Sequence, residues 1–528
     1  MKYFILLFPI FSFSQIINIP DPVLKSYLAG PGYGYHLDTN GDGEVSQQEA
    51  LGLINFTTFT YYVGGVSNVT DFTGLEYFTN LQTIYILLNQ ATSLNLNNLL
   101  NLRELTISGF NTTGTLNPIY YSPIVNLNVN GCVALEKISL NLSSVQNLDL
   151  TTNIALKKFY AGETKLETVN FNGLPNLEKV EILNNITNYF TFYGQLQTAT
   201  FGGNTALTYV DIRVQPNLQF LDFTGASNLK NLYCRYTGIT TLNIQNLSNL
   251  VYVECNNNQI AQLDLLGLVN LETLHCEYNQ IDSLDFTGAN NLVLAYCNNN
   301  LIEELFVSPE ANSHLVYVDC SFNKIKTLNF ENLGNEFKGL DCGNNLLEEV
   351  HVKGNDLRGF SCNDNLLTDL DLEWLQNLSR FNCRNNQISS INMKHIIDNP
   401  YDLITNDPDN NAHMDLENNP LLYACVDDFQ IDHYKNYFSA KGMIGVDVSA
   451  TCTFEPSIYP NPVGSMLNIR SGSKIDSFNI YDMNGRLVLS TIVNANIYSN
   501  SISEIQTGIY VLEIISNNTS KMSKIIKN

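Results

Sequence analysis

Six residues with oxygen-bearing side chains recur along one twelve-residue segment near the N-terminus. They are Asp38, Asn40, Asp42, Glu44, Ser46 and Glu49, with Gly43 at the sixth position. A calcium loop takes side-chain oxygens from positions 1, 3 and 5, a carbonyl from position 7, a water-mediated contact from position 9 and a bidentate carboxylate from position 12. The spacing therefore predicts a site for one Ca²⁺. The alternative is a solvated turn that binds no ion.

Two helices are expected to hold this loop. Asp21 as the cap and Pro22 at the first helical position predict a helix over residues 21–29, and a short helix is expected after Glu49. The segment thus resembles the helix–loop–helix of EF-hand proteins, which implies a calcium cofactor. We predict a structural ion, because a calcium switch opens a groove between helices and the sequence indicates none.

A pattern of the form apolar-x-x-apolar-x-apolar follows this segment. Its fifteen copies are spaced by 20 to 23 residues and begin at Leu81, Leu102, Ile124, Val145, Leu166, Ile186, Leu207, Leu229, Leu250, Leu271, Leu292, Leu315, Phe337, Leu357 and Leu378. Alternation places the apolar side chains on the inner side of a short strand, and stacked turns share one core. A shorter apolar echo half a period later predicts a second extended segment in each turn.

The pattern resembles the leucine-rich repeat in the short form found in bacterial internalins. The resemblance implies a β-rich solenoid of about 15 turns with little helix over residues 81–400. An N-terminal cap that includes the calcium loop is expected over residues 15–80. A C-terminal cap and linker are expected over residues 401–456.

Eight of the eleven cysteines occupy the third inward position of successive turns. They are Cys234, Cys255, Cys276, Cys297, Cys320, Cys342, Cys362 and Cys383. In-register strands hold side chains about 4.8 Å apart, farther than the Cβ separation of about 3.8 Å in a disulfide, so a ladder of free thiols is predicted. Cys425 and Cys452 resemble the pair that closes the C-terminal cap of exported repeat proteins, which implies a disulfide between them.

The N-terminus has the features of a secretory signal peptide. Residues 1–14 contain Lys2, an apolar stretch too short to span a bilayer, and a small-x-small site that ends at Ser14. We expect cleavage after Ser14. No later run of about 20 apolar residues predicts a spanning helix.

The last 72 residues contain three short motifs in alternating apolar strands joined by Asn-Gly and Thr-Gly turns. The residues of these motifs are Tyr459, Pro460, Asn461, Pro462, Tyr481, Asp482, Gly485, Arg486, Gly508 and Tyr510. Residues 457–528 resemble the type A C-terminal sorting domain of the type IX (Por) secretion system of Bacteroidetes. The resemblance implies a small β-sandwich that engages the secretion machinery and is then removed, leaving the passenger secreted or on the outer surface of the cell.

Charge and motif content exclude several functional classes. The chain has 51 acidic and 27 basic residues, a formal net charge of −24, which argues against nucleic acid and anionic lipid as partners. It contains no zinc-protease, serine-hydrolase or phosphate-loop motif. Repeats, caps and tail leave no room for a catalytic domain, so we predict a protein without enzymatic activity.

Outward-facing residues of the repeat strands are the candidate binding residues. On the predicted concave face they are Tyr233, Arg235, Tyr252, Glu254, His275, Glu277, Tyr296, Asn298, Tyr317 and Asp319. Tyrosine combines a flat apolar face with a hydroxyl, which suits a protein or a carbohydrate partner in adhesion or recognition. Alternatively, the tyrosines only cover β-surface, and the protein is a structural envelope or surface-layer component without a specific ligand.

Overall fold

The computed structural model describes most of the 528-residue chain. The described residues are 15–30, 34–58, 68–87, 89–109, 121–184, 194–352, 356–373, 375–396, 413–451, 456–516 and 519–528. The predicted signal peptide and Cys452 lie outside them. The chain divides into two compact units, Met1–Leu346 and Leu347–Asn528.

The first unit begins with two short helices. Helix α1 (Pro22–Ala29) is capped by Asp21, whose Oδ1 accepts a hydrogen bond from Leu24 N at 2.8 Å, so the predicted helix is confirmed. Helix α2 (Gln47–Ala50) begins after Ser46, which forms a reciprocal capping box with Glu49. A 3₁₀ turn (Leu75–Tyr77) precedes the regular repeats.

The predicted repeat phase is wrong for three copies. Those that begin at Ile124, Val145 and Leu166 form the second extended segment of a turn, and the main strands follow Leu135, Leu156 and Leu177, because both segments have the same apolar spacing. The copy at Ile186 lies outside the described residues.

The main parallel sheet of the first unit has one strand per turn. Its strands are β1 (Asn55–Thr57), β2 (Thr83–Leu87), β4 (Glu104–Ser108), β6 (Lys137–Asn141), β8 (Lys158–Gly162), β10 (Lys179–Leu183), β12 (Tyr209–Arg213), β14 (Asn231–Tyr233), β15 (Tyr252–Glu254), β16 (Thr273–His275), β18 (Leu294–Tyr296), β20 (Tyr317–Asp319) and β22 (Gly339–Asp341). The strands shorten from five residues to three at β14, the turn that carries the first ladder cysteine, Cys234.

The second extended segment predicted half a period later forms shorter parallel ladders in many turns. In the first unit these strands are β3 (Ser93–Asn95), β5 (Asn126–Asn128), β7 (Asn147–Asp149), β9 (Thr168–Asn170), β11 (Thr198–Thr200), β13 (Phe220–Asp222), β17 (Ser283–Asp285), β19 (Glu304–Phe306) and β21 (Thr327–Asn329). Turns that have both strands therefore contribute backbone pairing on two sides of a shared apolar core, as expected for a β-rich solenoid.

Asparagines at the ninth repeat position join each turn to the one before it. Asn279 Nδ2 donates to the carbonyls of Cys255 and Cys276, both at 3.0 Å, and Asn300 Nδ2 donates to Cys276 and Cys297 at the same distance. Asn279 Oδ1 also accepts from Ile260 N at 3.0 Å. The buried turn after each strand is thereby satisfied by a side chain of the next turn.

The cysteines of the predicted ladder are buried, and none of the eight forms a disulfide. Burial raises the pKa of Cys234, Cys276 and Cys297 well above its usual value, and the neighbouring thiols add to this shift. The prediction of free thiols that pack as small apolar side chains is confirmed.

The second unit contains further repeat strands and a cap helix. The strands are β23 (Glu349–His351), β24 (Gly359–Ser361), β25 (Asp369–Asp371), β26 (Arg380–Asn382), β27 (Ser390–Asn392), β28 (His413–Asp415), β29 (Tyr423–Cys425) and β30 (Asp447–Ser449). A 3₁₀ turn (Asp428–Gln430) leads into helix α3 (Ile431–Ala440), which buries Tyr434, Tyr437 and Phe438. Cys425 is disulfide-bonded, and its predicted partner Cys452 is outside the described residues.

The tail of the second unit is a five-stranded antiparallel sheet. Its strands are β31 (Ser457–Tyr459), β32 (Met466–Asp482), β33 (Leu487–Ser501), β34 (Gly508–Ser516) and β35 (Thr519–Lys527). The first part of β32 pairs with β31 and its last part with β34, and register shifts separate the two parts. Leu467 and Ile469 from the first part share one buried cluster with Phe478 and Ile480 from the last. The predicted small β-sandwich is thus one bulged sheet that encloses a single core.

Candidate functional site

The outward side chains of β12 to β20 include one continuous row of rings, which we call the aromatic row. Its members are Tyr209, Tyr233, Tyr252, His275, Tyr296 and Tyr317. Neighbouring ring centroids along it are 5.4, 4.9, 5.8, 4.4 and 5.6 Å apart. The row exists because alternation along each strand sends the intervening Leu, Val or Ala into the core. His275 and Tyr296 are nearly parallel, with 4° between their planes.

Other groups of the protein lie against the rings at the two ends of the aromatic row. Lys179 Nζ lies 4.5 Å from the centroid of the Tyr209 ring. At the other end, a Cβ built on Gly339 would lie 2.6 Å from Tyr317 Cδ2, so the Tyr317 ring lies against the glycine backbone. The His275 and Tyr296 rings stack on each other, whereas the other neighbouring rings of the row are tilted by 31° to 48°.

Ion pairs flank the N-terminal part of the aromatic row. The pairs are Lys179–Glu181 at 2.9 Å, Arg213–Asp211 at 2.6 Å and Arg235–Glu254 at 3.0 Å. Arg213 contacts Asp211 through both Nε and Nη2. Burial raises the pKa of Asp211, although the Arg213 guanidinium opposes this shift. Each of the three basic side chains is already neutralised by a carboxylate of the same face.

The C-terminal part of the face has carboxylates that lack such partners. Glu277 Oε1 lies 3.3 Å from His275 Nδ1, whereas Glu277 Oε2 and Asn256 Oδ1 are buried without a hydrogen-bond partner in the part of the chain that the structure describes. Asp319 accepts hydrogen bonds from the backbone N and the hydroxyl of Ser321, at 3.0 and 2.6 Å. Neither Glu277 nor Asp319 is ion-paired with a described Lys or Arg.

The hydroxyls of Tyr252 and Tyr317 are held in their neutral form. Burial and the neighbouring Glu254 carboxylate raise the pKa of Tyr252 to about 12, and the hydroxyl donates to Glu254 Oε2 at 3.5 Å. Burial followed by the charge of Asp319 raises the pKa of Tyr317. At neutral pH these hydroxyls are available to a ligand as hydrogen-bond donors and acceptors.

A second set of aromatic residues, which we call the rim residues, follows the strands at the edge of this face. Tyr236, Tyr278 and Phe322 are 41%, 53% and 52% exposed, and all have positive φ angles, of 55°, 56° and 54°. The equivalent position of the intervening turns holds Asn257 and Asn299. Asparagine tolerates the left-handed region, whereas a bulky aromatic residue there is strained.

All ten residues of the predicted binding face lie along this part of the sheet or directly after its strands. Sequence reasoning did not select Lys179, Tyr209, Asp211 or Arg213. Tyr209, Asp211 and Arg213 occupy the same outward positions one turn earlier, so the repeat phase contains their signal, whereas Lys179 lies on β10, which the predicted phase missed. Tyr278 and Phe322 carried a weaker signal, which is an aromatic residue one position before the repeat asparagine, whereas Tyr236 precedes Thr237.

The predicted calcium loop has the backbone of a tight turn. Asp38 Oδ1 accepts hydrogen bonds from Gly41 N and Asp42 N, at 2.7 and 3.1 Å, and its Oδ2 accepts from Gly43 N at 2.8 Å. Gly41 and Gly43 have φ angles of 78° and 81°, which favour glycine. These bonds close the loop around the Asp38 carboxylate.

The far end of the loop is positioned by hydrogen bonds to Glu49. Its Oε1 accepts from Thr39 N and Oγ1, both at 2.8 Å, and its Oε2 accepts from Ser46 N and Oγ, both at 2.9 Å. Burial opposes ionisation, yet these hydrogen bonds lower the pKa of Glu49 to about 2. Glu44 contributes its side chain to an ion pair with Lys25 and keeps its carbonyl for the role predicted from position 7.

The donor chemistry of the loop fits a hard cation, because its polar side chains offer oxygen and no sulfur or imidazole nitrogen. The carboxylates do not already surround a common centre, and no group of three or more His, Cys, Asp or Glu side chains does so among the residues that the structure covers. Glu49 must leave some of its present hydrogen bonds to bind an ion bidentately. The calcium site therefore stays a prediction.

The comparisons with known families concern two parts of the chain. Residues 457–528 match the family described as the secretion system C-terminal sorting domain, and residues 248–288 match the family of leucine-rich repeats in two copies. The chain is a leucine-rich-repeat protein with a secretion sorting domain. A comparison with curated proteins finds no match.

Three solved structures illustrate what the chain is similar to. The functional domain of InlJ from Listeria monocytogenes, which includes a cysteine ladder, is 17% identical with a TM-score of 0.38, over 92% of this chain and 93% of that chain. A leucine-rich-repeat protein of Leptospira interrogans is 17% identical with a TM-score of 0.41, over 72% and 92%. The internalin InlF of Listeria monocytogenes is 15% identical with a TM-score of 0.36, over 72% and 94%.

The sorting domain marks this leucine-rich-repeat protein for export to the cell surface or the medium. The described residues contain no helix long and apolar enough to cross a membrane. Motif residues of the sorting domain form its turns and strand contacts. Asn461 bonds the edge of β35 through Lys524 O and Ile526 N, at 3.0 and 2.9 Å, and Asp482 Oδ1 accepts from Arg486 N at 2.9 Å across the turn that contains Gly485.

Two of the remaining motif tyrosines form hydrogen bonds at strand β34 of the sorting domain. Tyr481 donates to Glu513 Oε2 at 2.9 Å, and Tyr510 donates to Gln506 O at 2.8 Å, close to Gly508 at the start of β34. Pro460 and Pro462 precede β32, and Tyr459 ends β31. The three motifs that were separate in sequence thus belong to one sheet.

Proposed function

We propose that this protein is a non-enzymatic recognition or adhesion protein that binds a protein or carbohydrate partner on the face carrying the aromatic row. The observation that carries the proposal is the continuity of that row over six strands, from Tyr209 to Tyr317. The core is formed by the opposite side chains of the same strands. An outward row of half-buried rings with polar groups beside it is the composition of a binding surface.

The test removes four rings of the aromatic row. The variant Tyr233→Ala, Tyr252→Ala, Tyr296→Ala, Tyr317→Ala of the full chain is compared with the wild type for binding to target cells and to a glycan array. A matched control, Phe220→Ala with Phe306→Ala, removes exposed aromatic side chains from the half-period strands β13 and β19. We expect binding to be lost in the first variant and kept in the control, with thermal unfolding confirming that both are folded.

Equal binding by the folded quadruple variant and the wild type would contradict the assignment of the binding site to this face. A wild type that binds no target would favour the alternative, a structural component of the envelope. The export signal is the same for both functions, so localisation does not distinguish them.

We also propose that one Ca²⁺ is bound by the loop from Asp38 to Glu49. The ligands would be Asp38, Asn40 and Asp42 through their side chains, the Glu44 carbonyl, Ser46 through a water and Glu49 through both carboxylate oxygens. The ion would neutralise adjacent carboxylates and tie the start of the loop to helix α2. Its effect would be structural, on the stability of the N-terminal cap.

A further inference from the structure

We propose that the partner of this face is a cationic polypeptide segment, bound at the C-terminal part of the aromatic row around Glu277 and Asp319, with Tyr278 and Phe322 as apolar contacts at the rim. The inference rests on the proposed recognition function and specifies the chemistry of the partner. It follows from four features of strands β15 to β20 and the residues directly after them.

Ring orientation argues against a sugar as the principal ligand. A saccharide binds an aromatic side chain by stacking on its open face, as other flat or apolar ligands do. In the aromatic row every ring has a neighbouring ring within 5.8 Å, the His275 and Tyr296 rings stack on each other, and Lys179 and the Gly339 backbone lie against the two end rings. The rings are therefore already engaged with groups of the protein, which leaves less open face for a sugar than an isolated ring would have.

Charge is distributed unevenly along the row. Its three basic side chains lie on or after β10, β12 and β14, and each is paired with a carboxylate. From β16 onward Glu277 and Asp319 have no Lys or Arg partner within the described part of the chain. A Lys or Arg side chain of a partner would complete these pairs, whereas an acidic partner would be repelled.

One carboxylate oxygen of Glu277 lacks a hydrogen bond from any described residue in the unbound protein, which is unfavourable in free energy. Oε2 is buried without a hydrogen bond, and Asn256 Oδ1, one turn earlier at the equivalent position, is in the same condition. A buried carboxylate oxygen without a donor costs free energy that a guanidinium or ammonium donor would recover. The Glu277 side chain keeps 18% of its surface exposed, so a donor can reach the carboxylate, and the buried oxygen gains a partner when the side chain moves outward.

Two rim residues on the same turns have an unfavourable backbone conformation. Tyr278 directly follows Glu277, and Phe322 follows Ser321, the hydrogen-bond donor to Asp319. Both are about half exposed in the left-handed region, where the alternate turns use asparagine. Strained residues that the fold does not require are found at binding sites, and exposed aromatic side chains are typical anchors of protein interfaces.

The spacing of the two carboxylates selects a simple probe. Strands β16 and β20 are two sheet spacings apart, and Glu277 lies two residues beyond the position in register with Asp319, so the two residues are about 12 Å apart. A polyproline II segment advances about 9 Å in three residues and returns its side chains to the same side. The probe is therefore a fluorescent proline-rich peptide with arginine at every third position, and its analogue has glutamate in place of arginine.

The experiment measures fluorescence anisotropy of both peptides with the full chain. We compare the wild type, the variant Glu277→Gln with Asp319→Asn, and the control Glu303→Gln with Glu304→Gln, which makes the same charge change at exposed residues beside β19. We expect the arginine peptide to bind the wild type. Its affinity should fall at least about tenfold for the first variant and stay within about twofold for the control, and added salt should lower it. A third variant, Tyr278→Asn with Phe322→Asn, should weaken binding without loss of folding.

Equal affinity of the first variant and the control, or equal binding of the two peptides, would overturn the cationic assignment. A partner that binds in a tyrosine-dependent manner but ignores Glu277→Gln with Asp319→Asn would overturn this inference and leave the proposed function standing. If the quadruple tyrosine variant binds as well as the wild type in every assay, the proposed function itself is contradicted.

Discussion

At the scale of single residues, Asn279 shows how one side chain can hold two turns together. Its amide donates to carbonyls of the preceding strand and of its own turn and accepts from Ile260 N, so three backbone groups depend on it. Repeat position nine therefore requires a side chain with both a donor and an acceptor, which explains asparagine there without any appeal to a ligand.

We expect Asn279→Ala to lower the free energy of unfolding by about 2–4 kcal/mol, because buried backbone groups lose their partners. The matched control is Asn291→Ala, at an exposed asparagine whose side chain makes one long contact of 3.5 Å with Asn270; it should change stability by less than about 0.5 kcal/mol. Urea unfolding followed by circular dichroism measures both. A similar loss in the two variants would contradict the role assigned to position nine.

Glu49 is the residue on which the calcium proposal is best tested. Saturating Ca²⁺ should raise the midpoint of thermal unfolding relative to chelator, since an ion that binds only the folded chain adds about 2.7 kcal/mol at a hundredfold excess over its dissociation constant. Glu49→Gln should abolish most of the shift. The control Asp264→Asn alters an exposed side chain that accepts from Leu266 N at 2.8 Å, and the shift should persist there. No calcium-dependent shift in the wild type would refute the site.

At the scale of elements, the cysteine ladder separates a packing role from a chemical one. The thiols are buried, and burial raises their pKa, so few thiolates form at neutral pH. We expect the folded protein to leave the ladder thiols unmodified by a thiol reagent and the urea-unfolded protein to expose them. Rapid modification of Cys276 in the folded state would show that the ladder is reactive.

The apolar surroundings of the ladder predict which of two substitutions at Cys276 lowers stability more. Cys276→Ser places a hydroxyl among apolar neighbours and should cost about 1–3 kcal/mol of stability. Cys276→Ala removes only the sulfur and should cost less. Equilibrium unfolding compares them, and a larger loss for alanine than for serine would contradict an apolar role.

The elements also show what a sequence can predict here. The inward positions from Leu207 to Leu378 were predictable because each turn repeats the same spacing and the third inward position accepts only small or apolar side chains. From Ile124 to Leu166 the predicted phase fell on the second extended segment, because that segment has the same apolar spacing. The aromatic row was only partly predictable: spacing places Tyr252 and His275 outward, but the orientation of a ring depends on the rings of two other turns. The strain at Tyr278 was not predictable either, because a positive φ is a property of the folded turn.

At the scale of the whole molecule, net charge is divided between the passenger and the tail. Residues 457–528 contain six basic and four acidic side chains, a formal charge of +2, although the chain as a whole carries −24. The passenger is therefore more acidic than the complete chain. This excess agrees in sign with the cationic partner proposed above, but only the matched charge variants can distinguish a local site from a general attraction.

Export gives the last prediction at this scale. A chain that ends before Ser457 keeps its repeats and its predicted signal peptide but lacks the sorting domain. We expect it to cross the inner membrane and remain in the periplasm, whereas the full chain reaches the surface or the medium. Cell fractionation and protease access to intact cells measure the difference. The control, Met483→Ala in the full chain, alters an exposed residue of the tail turn and should be exported normally. No other part of the protein has been assigned a role in crossing the outer membrane, so surface delivery of the truncated chain would show that the tail is not needed for it.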